Sequence, residues 1–249
     1  QTFTVTPAFE RREGEAAAPS SETATIPARD ARESVRARVR LACLLASAGA
    51  VEMPLSAFRP DRTALFVAGD GDLTQRHVQG IPRVLYPVAA AEVATAFSTL
   101  TGFSGVEALA RAIDRLGRSR TAASDADRAL ELGMAAEIAL MHDSGSNNTE
   151  ITHKIASRAA WLVGTDVGDR VSIFSAIRDL YYARSQAVHS GFLSEKARLD
   201  LDASDRLVSR VLLAIARHGR FPDWKRLVLG GAVDPDADFA QDEPTLQPD

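Results

Sequence analysis

An arginine and a histidine near the end of one predicted helix are the residues of this chain best suited to chemistry. Arg184 and His189 stand five positions apart, and Gly191 follows them as a helix-ending residue. A guanidinium is always charged and can hold two phosphate oxygens at once. An imidazole titrates near neutral pH and can move protons. The pair therefore indicates a site for phosphate chemistry or for binding an anion.

The predicted helix directs the side chains of Arg184 and His189 to different sides. Its apolar seam consists of Ile173, Ile177, Leu180, Tyr181 and Val188, and Arg184 falls on the same seam. A buried guanidinium needs an acid, a partner surface or a ligand. His189 lies about 140° further around an ideal helix. The two groups converge only if the helix ends or distorts between them, or if two copies pool their residues across a symmetric interface.

The elements around this helix predict an all-α bundle over residues 85–230. The next helix upstream begins at Thr149 and ends before Gly164, and one before it begins at Ser124. The apolar residues of the helix that begins at Ser124 are Leu130, Met134, Ile138 and Met141. A capping box at Ser104 opens an earlier helix that stops near Gly117. The Arg184 helix itself begins at Asp166, and a last helix begins near Asp202 or Ser204 and ends at Gly219.

The flanking segments are less regular. Residues 1–28 have the composition of a linker or of the end of a preceding domain, and residues 29–84 form an N-terminal extension. This extension contains a helix from Asp30 to about Ala48 and allows a small β-hairpin from 65–67 and 84–86. Residues 231–249 carry six acids and no base, which predicts a disordered tail. Because the chain begins at Gln1, we expect it to be part of a longer protein.

Composition restricts the cellular setting and the partners. A single cysteine, Cys43, excludes an internal disulfide, and no apolar stretch approaches a bilayer span, so we expect a cytoplasmic protein with no membrane partner. The net charge is −4, and without the acidic tail 29 basic residues stand against 27 acidic ones. Any nucleic-acid contact must therefore be a local patch. One basic edge that could supply it consists of Arg111, Arg115, Arg118 and Arg120.

The end of the Arg184 helix resembles the terminal motif of HEPN domains, in which an arginine is followed by four residues and a histidine. It reads Tyr181-Tyr182-Ala183-Arg184-Ser185-Gln186-Ala187-Val188-His189-Ser190-Gly191. The upstream tyrosine, the serine after the arginine and the following glycine are similar to the Apea-like branch. Segments 127–133 and 151–162 resemble the two preceding helices of that branch, so the resemblance covers about residues 85–217. Many active members carry Asn, Asp or His where this chain has Ser185.

The resemblance implies a HEPN-like fold and a metal-independent endoribonuclease without a cofactor. Its substrate would be single-stranded RNA or tRNA, and it would act as a homodimer through the HEPN face, with Arg184 and His189 as catalytic residues. Glu131 would orient Arg184, and Ser185 would hydrogen-bond phosphate. Independently of the resemblance, Tyr181 and Tyr182 are suited to stack on bases, although Tyr181 is on the apolar seam and is expected to pack in the core. The setting implied is a bacterial toxin or anti-phage defence protein, whose remaining N-terminal portion senses the trigger.

Two other functions remain open at the level of sequence. A HEPN module that binds RNA or dimerises without cleaving would carry the same motif, and a structural helical interaction domain would use Arg184 in a buried ion pair. A metal site at His142, Asp143, Glu150 and His153 is disfavoured, because these residues lack a close His-to-His spacing or a cysteine partner.

Overall fold

The protein is helical in the computed structural model, which confirms the all-α prediction. The structure describes residues 21–47, 49–51, 53, 55–57, 73–75, 88–143, 150–194 and 199–230, with side chains from residue 33 onward outside the strands. The elements are α1 Ser21–Ala46, β1 Leu55–Ala57, β2 Leu73–Gln75, α2 Ala90–Thr101, α3 Val106–Ser119, α4 Asp125–Leu140, α5 Ile151–Val163, α6 Val167–Ser190, α7 Leu201–His218 and α8 Trp224–Val228. Among these described helices, none has the length and apolar character that a membrane crossing requires.

The chain divides into two compact units. The first comprises Gln1–Ala37 and Glu52–Ile81, and the second comprises Arg38–Val51 and Pro82–Asp249. In the first unit, β1 and β2 form an antiparallel pair in which Ser56 is opposite Thr74. The strands expected at 65–67 and 84–86 lie outside the described residues, as do the expected tail at 231–249 and most of the expected linker. The helix α1 begins at Ser21, ahead of the predicted start at Asp30.

The second unit is the helical bundle, and it includes more of the chain than the expected domain at 85–230. The end of α1 belongs to it, since Ala42 and Leu44 are fully buried in the core. The δ-methyl groups of Leu44 lie against Gly117 of α3. Arg40 also forms an ion pair with Asp114 at 2.7 Å. These contacts extend the bundle to a helix that sequence analysis had assigned to the extension.

Side-chain caps fix the starts of the main helices. The Ser124 and Asp166 side chains accept backbone N–H groups at the starts of α4 and α6, as predicted. Asp200 does the same for α7, slightly ahead of the expected start. The predicted capping box at Ser104 is wrong: the residue before α3 is Gly105 at φ +73°, with no side-chain cap, and the Ser104 N–H donates to the Gly219 carbonyl.

The helix α4 is the centre of the bundle, in contact with α3, α5, α6 and α7. Its buried positions are mostly alanine and glycine, which allow neighbouring helices to approach closely. Three larger residues of α4 that the sequence pattern indicates as core are only half-buried, namely Leu130, Met134 and Ile138. The close approach matters most at Gly133, because the aliphatic stem of Arg184 from α6 lies directly over it.

A buried ion pair joins the ends of three helices. Arg120, after α3, makes a bidentate pair with Asp205 of α7 at 3.0 Å, and both side chains are almost fully buried. The same guanidinium donates to three carbonyls near the end of α1 and to the Ser209 hydroxyl. Since all its nitrogens are bonded, Arg120 is a structural residue and is not available to bind RNA.

Candidate active site

The end of α6 keeps Arg184 and His189 on different sides of the helix. The helix is unbroken up to Ser190, and it ends at Gly191, whose φ of +74° lies in the left-handed region. Five residues of α-helix separate the two side chains by about 140° and about 7.5 Å of rise. His189 is exposed in the last turn, whereas Arg184 is half-buried. The structure therefore does not bring the predicted pair together within one chain.

Arg184 lies between α6 and α4, and its carboxylate partner is Glu137. Nη2 of Arg184 is 3.2 Å from Oε2 of Glu137, and the guanidinium lies 5.3 Å from the centre of the Tyr181 ring. The Tyr181 hydroxyl donates to the same Glu137 oxygen at 3.5 Å. Burial, and then the Glu137 carboxylate, raise the pKa of Tyr181, while Arg184 acts in the opposite direction. Tyr181 thus packs partly against the core and partly under the guanidinium.

The prediction that Glu131 orients Arg184 is wrong. Glu131 instead forms an ion pair with Arg115 of α3, at 3.1 Å and 3.2 Å for its two oxygens. Glu137 is six positions after Glu131, so the two side chains point in directions about 120° apart around α4. One carboxylate therefore faces α3 and the other faces α6. The sequence does not distinguish Glu137 from Glu131, because both are on α4 and only the way in which α4 crosses α3 and α6 decides which one meets Arg184.

Arg184 also lines an open cleft of about 490 Å³, called the Arg184 cleft below. Its polar lining residues are Arg111, Glu137, His142 and Arg184. Its apolar lining includes Met134, Ile138, Met141, Ile151 and Phe221. His189 and Ser185 are not among the described residues of this lining. The cleft therefore contains one member of the predicted catalytic pair, together with a histidine that sequence analysis had considered only as a metal ligand.

That histidine, His142, is held by two aromatic residues. Its ring stacks on Phe221 at 3.7 Å between centroids, and Trp224 Nε1–H donates to its Nδ1 at 3.2 Å. Burial is the main reason that the pKa of His142 is lowered; Asp143 opposes this effect and Arg158 adds to it. Because Nδ1 accepts a hydrogen bond, the neutral ring carries its proton on Nε2. His142 is thus a neutral N–H donor at the edge of the cleft.

The other residues around His142 do not form a metal site. Asp143 pairs with Arg158 at 2.6 Å, and the His153 ring lies edge-on to Phe174. Within the described ranges, no group of three or more His, Cys, Asp or Glu side chains is placed to hold a metal ion.

The expected basic edge is mostly neutralised by carboxylates. Arg115 pairs with Glu131, Arg118 with Asp114 and Arg120 with Asp205. Arg111 differs from these three, since it is exposed and has no ion pair with any residue that the structure describes. Of the four arginines, Arg111 is therefore the one best placed to bind an anion, and it lines the Arg184 cleft.

One face of α6 points to solvent although it carries apolar side chains. Val171 is 61% exposed and Tyr182 is 52% exposed. Val188, predicted to lie on the buried seam, is 53% exposed, and Ala183 and Ala187 occupy the buried positions instead. His189 lies close to the direction of Val171 and Tyr182 on a helical projection, and half-buried Ser185 lies beside them. Arg178, which is 60% exposed, lies between Val171 and Tyr182 on the same face, so this face combines apolar and charged side chains.

The chain was also compared with known proteins. A scan of protein-family models, a search of curated proteins and a search of solved structures each returned no match.

Proposed function

We propose that this chain is a HEPN-like endoribonuclease domain that cleaves RNA without a metal ion, with Arg184 and His189 as its catalytic residues. The observation that carries the proposal is the position of Arg184: its side chain is 26% exposed and lines an open cleft. A guanidinium that reaches an open cleft can bind the oxygens of a phosphate. The exposed His189 on the same helix supplies the titratable group.

The proposed reaction is an internal transesterification. The 2′-oxygen attacks the adjacent phosphorus as its proton passes to a base, and the 5′-oxygen of the next nucleotide leaves with a proton from an acid. The products are a 2′,3′-cyclic phosphate and a 5′-hydroxyl. The imidazole of His189 serves the proton transfers, and the guanidinium of Arg184 stabilises the charge on the phosphorane. Ser185 is a further donor to phosphate.

A homodimer is part of this proposal, because Arg184 and His189 do not meet within one chain. A symmetric dimer through the exposed face of α6 would cover Val171 and Tyr182 and would place His189 at the interface between the two copies. Each composite site would then combine residues from both protomers. We further propose that the domain works in the cytoplasm, within a bacterial toxin or anti-phage defence protein whose other portion senses the trigger.

The ion pair between Arg184 and Glu137 supports a second candidate function. A guanidinium already held by a carboxylate and a tyrosine ring can grip RNA, or stabilise the bundle, without promoting cleavage. The alternatives are therefore a HEPN module that binds RNA or dimerises, and a structural interaction domain in which Arg184 is only an ion-pair member.

One experiment separates the three functions. The purified chain is incubated with total RNA or tRNA in excess EDTA, alongside Arg184→Ala and His189→Ala. Matched controls are Arg206→Ala, an exposed arginine on α7, and His153→Ala, an exposed histidine on α5. The proposal predicts cleavage to cyclic phosphate ends that survives chelation, is lost in both site variants and persists in both controls.

Other outcomes identify the alternatives. RNA retention on a filter without cleavage, weakened by Arg184→Ala, indicates a binding module. Neither activity, in a protein whose sedimentation shows a folded dimer, indicates a structural domain. Cleavage that EDTA abolishes contradicts the proposed chemistry.

A further inference from the structure

The Arg184 cleft has two chemically different walls. Arg111 and Arg184 supply two positive charges against the single carboxylate of Glu137, so the described lining has a net positive charge. The rest of the lining is largely apolar and includes Met134, Ile138 and Phe221. A ligand that suits both walls must carry an anionic group and a flat or apolar group a short distance apart.

The dimensions and the backbone of the cleft fit the same kind of ligand. Its volume of about 490 Å³ lies within the range of roughly 300–1,000 Å³ that is usual for small-ligand sites. The first turn of α3 also lines it through Gly105 and Ala108. This helix start has no side-chain cap, and a helix N-terminus favours an anion. Glu107, the acid in that turn, is exposed and is not among the lining residues.

We infer that the Arg184 cleft is the subsite for one nucleotide of the RNA strand, next to the phosphate that is cleaved. Arg111 binds the phosphate of this nucleotide, and the base lies on the apolar wall at Met134 and Phe221. The inference rests on the proposed function, since RNA is the ligand in both. It adds Arg111 as a binding residue on α3, outside the motif on α6.

The free state of Arg111 carries most of this argument. Its neighbours Arg115 and Arg118 on α3 are each paired with a carboxylate, whereas Arg111 has no such partner in the described part of the chain. An exposed arginine alone would have little meaning, because many surface arginines are unpaired. Here the unpaired arginine borders a concave site that already contains Arg184, so neighbouring phosphates of one strand can engage the two groups.

The test uses an RNA that the protein cannot cleave. A fluorescent 2′-O-methyl oligoribonucleotide lacks the attacking hydroxyl, and its binding to the full chain is measured by anisotropy over a range of salt concentrations. The variants are Arg111→Gln, with Arg111→Lys to restore the charge, and the control Arg118→Gln. Arg118 is on the same helix and more than half exposed, but it is not in the described lining of the cleft. Both positions are exposed, so the variants are expected to fold.

Loss of a charge-assisted hydrogen bond predicts that Arg111→Gln weakens binding by about ten-fold or more. The slope of log affinity against log salt should fall by about 0.7, the value for one phosphate contact on a single strand. Arg111→Lys should restore the slope, and Arg118→Gln should change neither quantity. With a cleavable RNA, Arg111→Gln should raise KM and leave kcat nearly unchanged.

The outcomes separate this inference from the proposed function. Intact cleavage by wild type together with unchanged binding and KM in Arg111→Gln would overturn the subsite and leave the proposed enzyme standing. If the wild type does not cleave RNA, and Arg111→Gln weakens binding whereas Arg118→Gln does not, the subsite is supported and the proposed enzyme is refuted. A wild-type chain that does not bind the oligonucleotide would overturn the inference outright.

Discussion

The close approach of α4 and α6 at Gly133 makes a quantitative prediction about stability. A Cβ atom at Gly133 would lie 2.6 Å from both Cβ and Cγ of Arg184. Carbon atoms in good contact are about 3.5–4.0 Å apart, so a methyl group here requires a displacement of about 1 Å. The Cβ of Arg184 is fixed by its own helix backbone. Rotation of the side chain cannot relieve this contact, and the two helices must separate.

The expected cost follows from two opposing terms. Alanine is a better helix former than glycine by about 1 kcal/mol in a helix interior. Overpacking a tight helix contact costs about 1–3 kcal/mol. Gly133→Ala should therefore lower the free energy of unfolding by roughly 1 kcal/mol in urea titrations. It should also shift Arg184 away from Glu137, and under the proposed function it should reduce RNA cleavage more than stability alone explains.

Gly117 of α3 is a matched control. It is also buried within a helix, but a Cβ there would meet the terminal methyl groups of Leu44, the nearest at 2.8 Å. Because these methyl groups are at the end of a side chain and can shift further than a Cβ can, the helix-propensity gain should offset more of the contact, and Gly117→Ala should cost less than Gly133→Ala. Equal stability of Gly133→Ala and Gly117→Ala would refute the close α4–α6 contact beneath Arg184.

The remaining predictions concern the rest of the bundle. Arg120→Ala should lower the free energy of unfolding by about 3–5 kcal/mol, because it leaves a carboxylate buried without its partner; a loss below about 1 kcal/mol in urea titrations would contradict this. The pKa of His142 is lowered in the folded protein, so its contribution to stability is present above about pH 6.5 and is lost as the pH falls through the folded value. The free energy of unfolding should therefore fall less between pH 7 and pH 5 in His142→Gln than in the wild type. Part of the fall should remain, because burial lowers the pKa of His218 as well. An equal fall in the two proteins would rule out the contribution of His142. Gly191→Ala should cost about 1–2 kcal/mol, because φ is +74°, and should speed hydrogen exchange in the last turn of α6. Gly102→Ala, at φ −87°, should cost less, and equal costs for the two variants would contradict the left-handed assignment at Gly191.

Helix starts and ends could be predicted from the sequence wherever one residue determines them. Ser124 and Asp166 cap their helices with their own side-chain oxygens, and Gly191 ends α6 in a left-handed conformation. These are local interactions, so the local sequence is enough to identify them. Ser104 failed the same rule, because the chain turns through Gly105 and the Ser104 N–H bonds to a distant carbonyl. That bond depends on tertiary structure.

The partner of Arg184 could not be predicted for a related reason. Glu131 and Glu137 are both glutamates on α4, and the choice between them depends on how α4 crosses α3 and α6. The buried seam of α6 was misassigned at Val188 because a pattern of large apolar residues overlooks alanine. Ala183 and Ala187 hold those positions, and their small size brings the helices together.

Two arginines of this bundle differ in how completely the chain itself binds the guanidinium. All three side-chain nitrogens of Arg120 donate hydrogen bonds, to Asp205, Ser209 and backbone carbonyls, as expected of a guanidinium whose only role is structural. Arg184 has one carboxylate at the distance of an ion pair and an Nε that is buried without a partner among the described residues. A guanidinium has five N–H donors, and burying one without an acceptor costs about 1–3 kcal/mol. Arg120 is therefore bonded completely within the chain, whereas part of the Arg184 side chain stays open to the cleft, which is what the proposed phosphate contact requires.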